Sequence, residues 1–88
     1  MTIEATKIKD IKGKIADWMK IMRKSKNLSQ EDLATALNLS RITIQNLESG
    51  KNITIDTLLK VLQYFDALEN FNAYIISETQ NHTYDSLY

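Results

Sequence analysis

Ser29 and Ser40 stand eleven residues apart, and each opens a short run with apolar residues at helical spacing. A serine hydroxyl accepts from the free amides at a helix start, so two helices begin here. The first runs from about Gln30 to Leu37, with Glu31 and Asp32 in its first turn to offset the positive end of the helix dipole. The second runs from Ser40 to about Ser49 and stops at Gly50. Only a three-residue joint separates them, and its Asn38 tolerates the left-handed backbone that a tight helix exit requires. A steep crossing of two such helices needs a small residue at the contact, the alternative being a generic helical hairpin in a small bundle. Ala34 is placed for that crossing, and Leu33, Leu37, Leu39, Ile44 and Leu47 are its apolar partners. Ser40, Arg41, Ile42, Thr43, Gln45 and Asn46 are left on an outward, mostly polar face.

The flanking sequence continues in helices. Proline is absent, and only Gly13 and Gly50 interrupt the pattern, which predicts an all-α chain. Ile8, Ile11, Ile15, Trp18, Met19 and Met22 follow three-and-four spacing in a first helix that ends near Lys26 and Asn27. Gly13 weakens the start of that helix by up to about 1 kcal/mol. The expectation is therefore a looser N-terminal arm over residues 1–10 and regular helix from about Gly13. Thr54 caps a fourth helix with an apolar stripe of Ile55, Leu58, Leu59, Leu62 and Phe65, and Leu68, Phe71, Tyr74 and Ile75 carry the pattern into a fifth. Residues 11–76 thus form one domain of five helices, and residues 77–88 form a polar tail that frays or docks through Tyr84, Leu87 and Tyr88.

Composition narrows the function classes. With no cysteine there is no disulfide, thiolate nucleophile or thiolate zinc site, and the lone histidine, His82, lies in the tail. Neither enzymatic chemistry nor a metal or cofactor is expected. No apolar run has membrane-span length, and the N-terminus alternates Lys with Ile, so a soluble, cytoplasmic protein without membrane contact is predicted. Net charge is zero, but residues 1–28 carry +5, residues 29–52 carry −1 and residues 53–88 carry −4. Such a dipole can orient a protein on an anionic surface without strong non-specific affinity. Lys7, Lys9, Lys12 and Lys14 read equally well as an ordinary solvated face.

A steeply crossed helix pair lets its second helix protrude into a DNA major groove about 12 Å wide. The pieces LSQEDLA, SRITIQNLESGK and TIDTLLKVLQYF resemble helices two, three and four of the Xre/Cro/CI family of helix-turn-helix DNA-binding domains, the fold of phage repressors. The resemblance covers residues 15–65 and implies a compact five-helix, lambda-repressor-like domain. It implies base readout by Arg41, Ile42, Thr43, Gln45 and Asn46, and phosphate contacts from Gln30, Ser40, Ser49, Gly50, Lys51 and Asn52. Gln30 would also brace Arg41, and Arg23 and Glu48 would form a structural pair. Asn38, where the family usually has Gly, and the proline-free Asn52-Ile53-Thr54 are departures.

One reading helix covers only a few base pairs, so specific affinity calls for two half-sites and a symmetric dimer. Phe65, Leu68, Phe71, Tyr74 and Ile75 form more apolar surface than the core needs, which marks them as the homodimer interface, unless this helix folds back over Trp18 and Ile11. The leading expectation is a dimeric repressor of an inverted-repeat operator in double-stranded DNA. The alternative is a HipB-like antitoxin that binds a protein toxin, with the acidic C-terminal part as a docking tail. A restriction-modification controller or a phage repressor would use the same DNA site.

Overall fold

The computed structural model describes residues 6–81, which form α1 (Ile8–Ser25), α2 (Gln30–Ala36), α3 (Arg41–Glu48), α4 (Ile55–Tyr64) and α5 (Leu68–Asn81). The caps are those the sequence predicts. Ser29, Ser40 and Thr54 adopt extended backbone, and their hydroxyls accept from the amides of Asp32, Thr43 and Thr57. At α2 the Asp32 carboxylate accepts in return from the Ser29 amide at 2.9 Å, completing a capping box. That bond, first, and the Ser29 hydroxyl hold the Asp32 carboxyl below its ordinary range.

The first four helices all end in the same way. Asn27, Asn38, Gly50 and Asp66 take positive φ of 58°, 56°, 74° and 59°. In each case the next amide reaches back to the carbonyl five residues earlier: Leu28 to Arg23, Leu39 to Ala34, Lys51 to Asn46 and Ala67 to Leu62. This closure satisfies the last carbonyls of a helix and turns the chain within one residue. Asn and Asp serve here because a short polar side chain tolerates left-handed backbone better than other non-glycine residues do. Asp66 is one of these turn residues.

Two apolar clusters result. Leu33, Ala34 and Ile44 lock the α2–α3 crossing, with Leu37 and Leu39 packed against them. Met19, Leu47, Val61, Leu62 and Ala67 join α1, α3, α4 and the last turn, with Ile15, Met22, Leu58, Leu59, Leu68 and Phe71 around them. Phe65, expected both in the α4 stripe and at the dimer surface, is half-buried, packs against both clusters and is the C-cap of α4.

Both ends of the fold depart from expectation. Residues 8–10, assigned to an arm, are the first turn of α1, and the amides of Asp10 and Ile11 already donate to Lys7. Gly13 does not delay the helix because it faces open space and costs only backbone entropy, which an 18-residue helix absorbs. Residues 77–81, assigned to the tail, extend α5; no Gly or Pro stops it, and the Thr79 hydroxyl donates to the Ile75 carbonyl. The fold-back of α5 over Trp18 and Ile11 is also absent, since each remains 42% exposed. Residues 1–5 of the arm, His82, and the tail residues Tyr84, Leu87 and Tyr88 lie outside the described residues.

The two glycines should respond oppositely to alanine. Gly13→Ala adds a methyl where nothing lies within 4 Å and should raise the unfolding free energy by about 0.5–1 kcal/mol. Gly50→Ala forces a side chain onto φ +74° and should lower it by about 1–2 kcal/mol. Denaturant titrations of the two variants check both signs.

Candidate nucleic-acid interface

The centre of the site is a charge that has been removed from view. Glu48 is the only acid in α3, and it is turned inward and buried. Arg23 of α1 meets it as a fork, Nε donating to Oε2 at 2.7 Å and an Nη to Oε1 at 2.9 Å. The other Nη of Arg23 donates to the Leu28 carbonyl at 2.7 Å, and Gln30 Nε2 of α2 donates to Glu48 Oε1 at 3.1 Å. Three helices therefore meet at one carboxylate, and Arg23 ties the chain before α2 to them. Burial alone would raise the Glu48 pKa, but the bonds from Arg23 and Gln30, with the charges of Arg23 and Lys20, outweigh it and hold the carboxyl below its ordinary value. The Arg23 guanidinium is held above its own ordinary value by the Glu48 hydrogen bond, against the opposing effect of burial.

With Glu48 inside, the outward arc of α3 carries no acid. Arg41, Ile42 and Gln45 are exposed, and Ile42 is 66% accessible although apolar. Thr43 and Asn46 are half-buried at the edge of this arc, where they line a recess of about 210 Å³ with Asn52, Ile53, Thr54 and Thr57. Helical spacing places Ile42, Asn46 and Ser49 on one face, with Gln45 beside them and Arg41 one turn back. Ile42, Gln45 and Asn46 therefore share one side of α3, with Arg41 and Thr43 at its two margins.

The expected phosphate contacts divide by the state of their donors. The Ser49 hydroxyl is committed inward, donating to the Gln45 carbonyl at 2.7 Å, and the Gly50 amide donates to Leu47 at 3.4 Å. The Ser40 hydroxyl accepts from the Thr43 amide at 3.1 Å and shares a further hydrogen bond with the Thr43 hydroxyl at 2.9 Å. Gln30 uses one amide proton on Glu48, leaving the other for an outside partner. Lys51 and Asn52 are exposed. Asn52 has a neighbour that sequence reasoning missed: Lys12 Nζ, forty positions earlier, donates to its Oδ1.

The residues assigned to a dimer surface also divide. Leu68 and Phe71 are half-buried against the core, whereas Tyr74 and Ile75, with Ile76, are exposed. A hydrogen bond from Tyr74 to Glu78 raises the Tyr74 pKa. Between α4 and α5 runs a groove of about 380 Å³ lined by Ile55, Leu59, Leu68, Phe71 and Ile75. Among the described residues no helix is long and apolar enough to cross a membrane.

Residues 19–68, more than half of the chain, match the model of a family described as helix-turn-helix. A protein of Methanocella arvoryzae named "Putative HTH-type transcriptional regulatory protein" is 45% identical over 51 residues, 58% of this chain. The match spans only 16% of that relative's length. No solved structure matches the chain.

Removal of Arg23 tests the buried network. At neutral pH, Arg23→Ala should cost about 3–5 kcal/mol of unfolding free energy, because Glu48 is left charged and buried. The depressed Glu48 carboxyl stabilises the native protein fully above its unfolded value of about 4.5, and that contribution is lost as pH falls through the lower folded value. In the variant, burial raises the carboxyl, so protonation relieves the strain. The cost of the substitution should therefore shrink in denaturant titrations below about pH 4.5.

Proposed function

We propose that this chain, which belongs to the helix-turn-helix family of the Xre/Cro/CI type, is a DNA-binding transcriptional regulator that places α3 in the major groove as a dimer. The observation that carries the reading is the acid-free outward arc of α3, obtained by turning its one carboxylate into a buried network. A polyanion can approach that arc without meeting a like charge.

Each position on the arc supports a role. The exposed Arg41 guanidinium can donate two bonds to a guanine edge, and Ile42 offers an apolar contact to a thymine methyl. Thr43 and Asn46 reach base edges from the groove side, and Gln45 flanks them. Lys51, Asn52 and the second amide proton of Gln30 supply donors for backbone phosphate, which fixes register and carries no sequence information. Ser49 and Gly50 contribute mainly by holding the end of α3, since the Ser49 hydroxyl and the Gly50 amide donate within the chain, while Ser40 caps its start through its hydroxyl oxygen.

Dimerisation through α5 completes the reading. This 14-residue helix has no fully buried residue, yet it carries Leu68, Phe71, Tyr74, Ile75 and Ile76. A helix of that length is marginal alone in water, so a second copy across the α4–α5 groove would supply the missing cover. Two copies would read an inverted repeat, and occlusion of a promoter is the simplest regulatory outcome.

Selection of a preferred site from random duplexes, followed by titration, tests the readout. Arg41→Ala should cost about 1–3 kcal/mol at that site and relax discrimination at one base pair; unchanged discrimination removes Arg41 from the reading face. The dimer is tested by Ile75→Glu. Sedimentation should give a dimer for the unaltered protein and a monomer for the variant, with weaker operator binding; a monomeric unaltered protein overturns this part of the reading.

A further inference from the structure

The α3–α4 loop is held from an unexpected direction. Gly50 lies so close to α1 that a Cβ there would sit 3.7 Å from the Lys12 carbonyl oxygen and 3.9 Å from the Gly13 Cα. At the same place the Lys12 ammonium donates to Asn52 Oδ1. Lys12 and Lys51 flank one recess of about 200 Å³, walled by Gly50 and Asn52 and floored by Ile15, Leu47, Ile53 and Leu58. Two cations therefore border a recess whose lining is largely apolar.

The chemistry of the amide adds direction. Asn52 offers one acceptor and two donor protons. With its oxygen bound to Lys12, both Nδ2 protons are left for an outside acceptor. The ammonium has three protons and Asn52 takes one, so Lys12 also keeps donors in hand. An anion with several acceptor oxygens suits this set. Asn52 also lines the second recess, with Thr43 and Asn46 of α3, so the anion site is continuous with the reading face.

We propose that Lys12 of α1 is a phosphate-contacting residue, anchored by Asn52, which with Lys51 grips one backbone phosphate of a duplex whose bases face α3. The inference rests on the DNA-binding reading above and adds α1 to the contact surface. It also gives one of the N-terminal lysines a specific task in place of a solvated face.

Because a backbone grip does not depend on sequence, the probe is a random-sequence duplex of about 20 base pairs titrated with the full chain at several salt concentrations. Lys12→Met should weaken binding roughly tenfold at moderate salt and reduce the steepness of log K against log salt by about 0.9, the contribution of one phosphate contact. Lys12→Arg should restore both quantities, and thermal unfolding of Lys12→Met should show that it is folded. Affinity and slope equal to those of the unaltered protein overturn this inference alone, as does weakened binding with an unchanged slope, which marks a purely structural lysine. Failure of the unaltered protein to bind any duplex overturns the DNA-binding reading and this inference together.

Discussion

One carboxylate organises this domain. Glu48 accepts from Arg23 of α1 and from Gln30 of α2, while Arg23 also holds the Leu28 carbonyl before α2. Buried ion pairs are seldom strong sources of net stability, because desolvation offsets much of the attraction. Their value lies in geometry: a forked guanidinium and a carboxylate accept few relative orientations. The apolar contacts around Ala34 and Ile44 bring α2 and α3 together, and the polar network fixes how α3 sits against α1. It also clears the outward arc of negative charge, so fold and surface potential follow from the same interaction.

Most of the architecture was legible because it is written locally. Ser29, Ser40 and Thr54 act on amides three residues away, and Asn38 and Gly50 close helices over a span of five or six. The signal is contained in the segment that uses it. Where the sequence misled, the deciding quantity was exposure or distance. Gly13 looked like a helix start, but its position toward open space makes it cheap to carry inside α1. Phe65 fitted an apolar stripe leading into α5, yet it caps α4 and its ring fills the angle between the two core clusters. The Lys12–Asn52 contact spans forty positions, and no periodicity reports a contact of that kind. Arg23 and Glu48, twenty-five positions apart, were paired only through family resemblance.

The helices are unequal in what they bury. α3 contributes Ile44, Leu47 and Glu48 to the interior and α4 contributes Thr57, Val61 and Leu62, while α5 has no fully buried residue and packs through half-covered Leu68 and Phe71. Local stability follows buried contact, so α5 lies at the low end of the range within the fold. Its association with anything that covers Ile75 and Tyr74 would be coupled to its own ordering.

The repeated closure of α1, α2, α3 and α4 sets how the domain can accommodate a target. Each exit is a single left-handed residue flanked by two committed hydrogen bonds, at Asn27, Asn38, Gly50 and Asp66. At the α2–α3 joint this leaves little hinge length, so a tilt of α3 against α2 would strain the bond from the Leu39 amide to the Ala34 carbonyl. On a duplex, adjustment would fall to rotamer changes of Arg41, Gln45 and Lys51, which take picoseconds to nanoseconds, and to bending or twisting of the DNA itself. If α3 reads a duplex in this way, the stiffness of the target sequence would become part of the binding energy, at positions that no side chain touches.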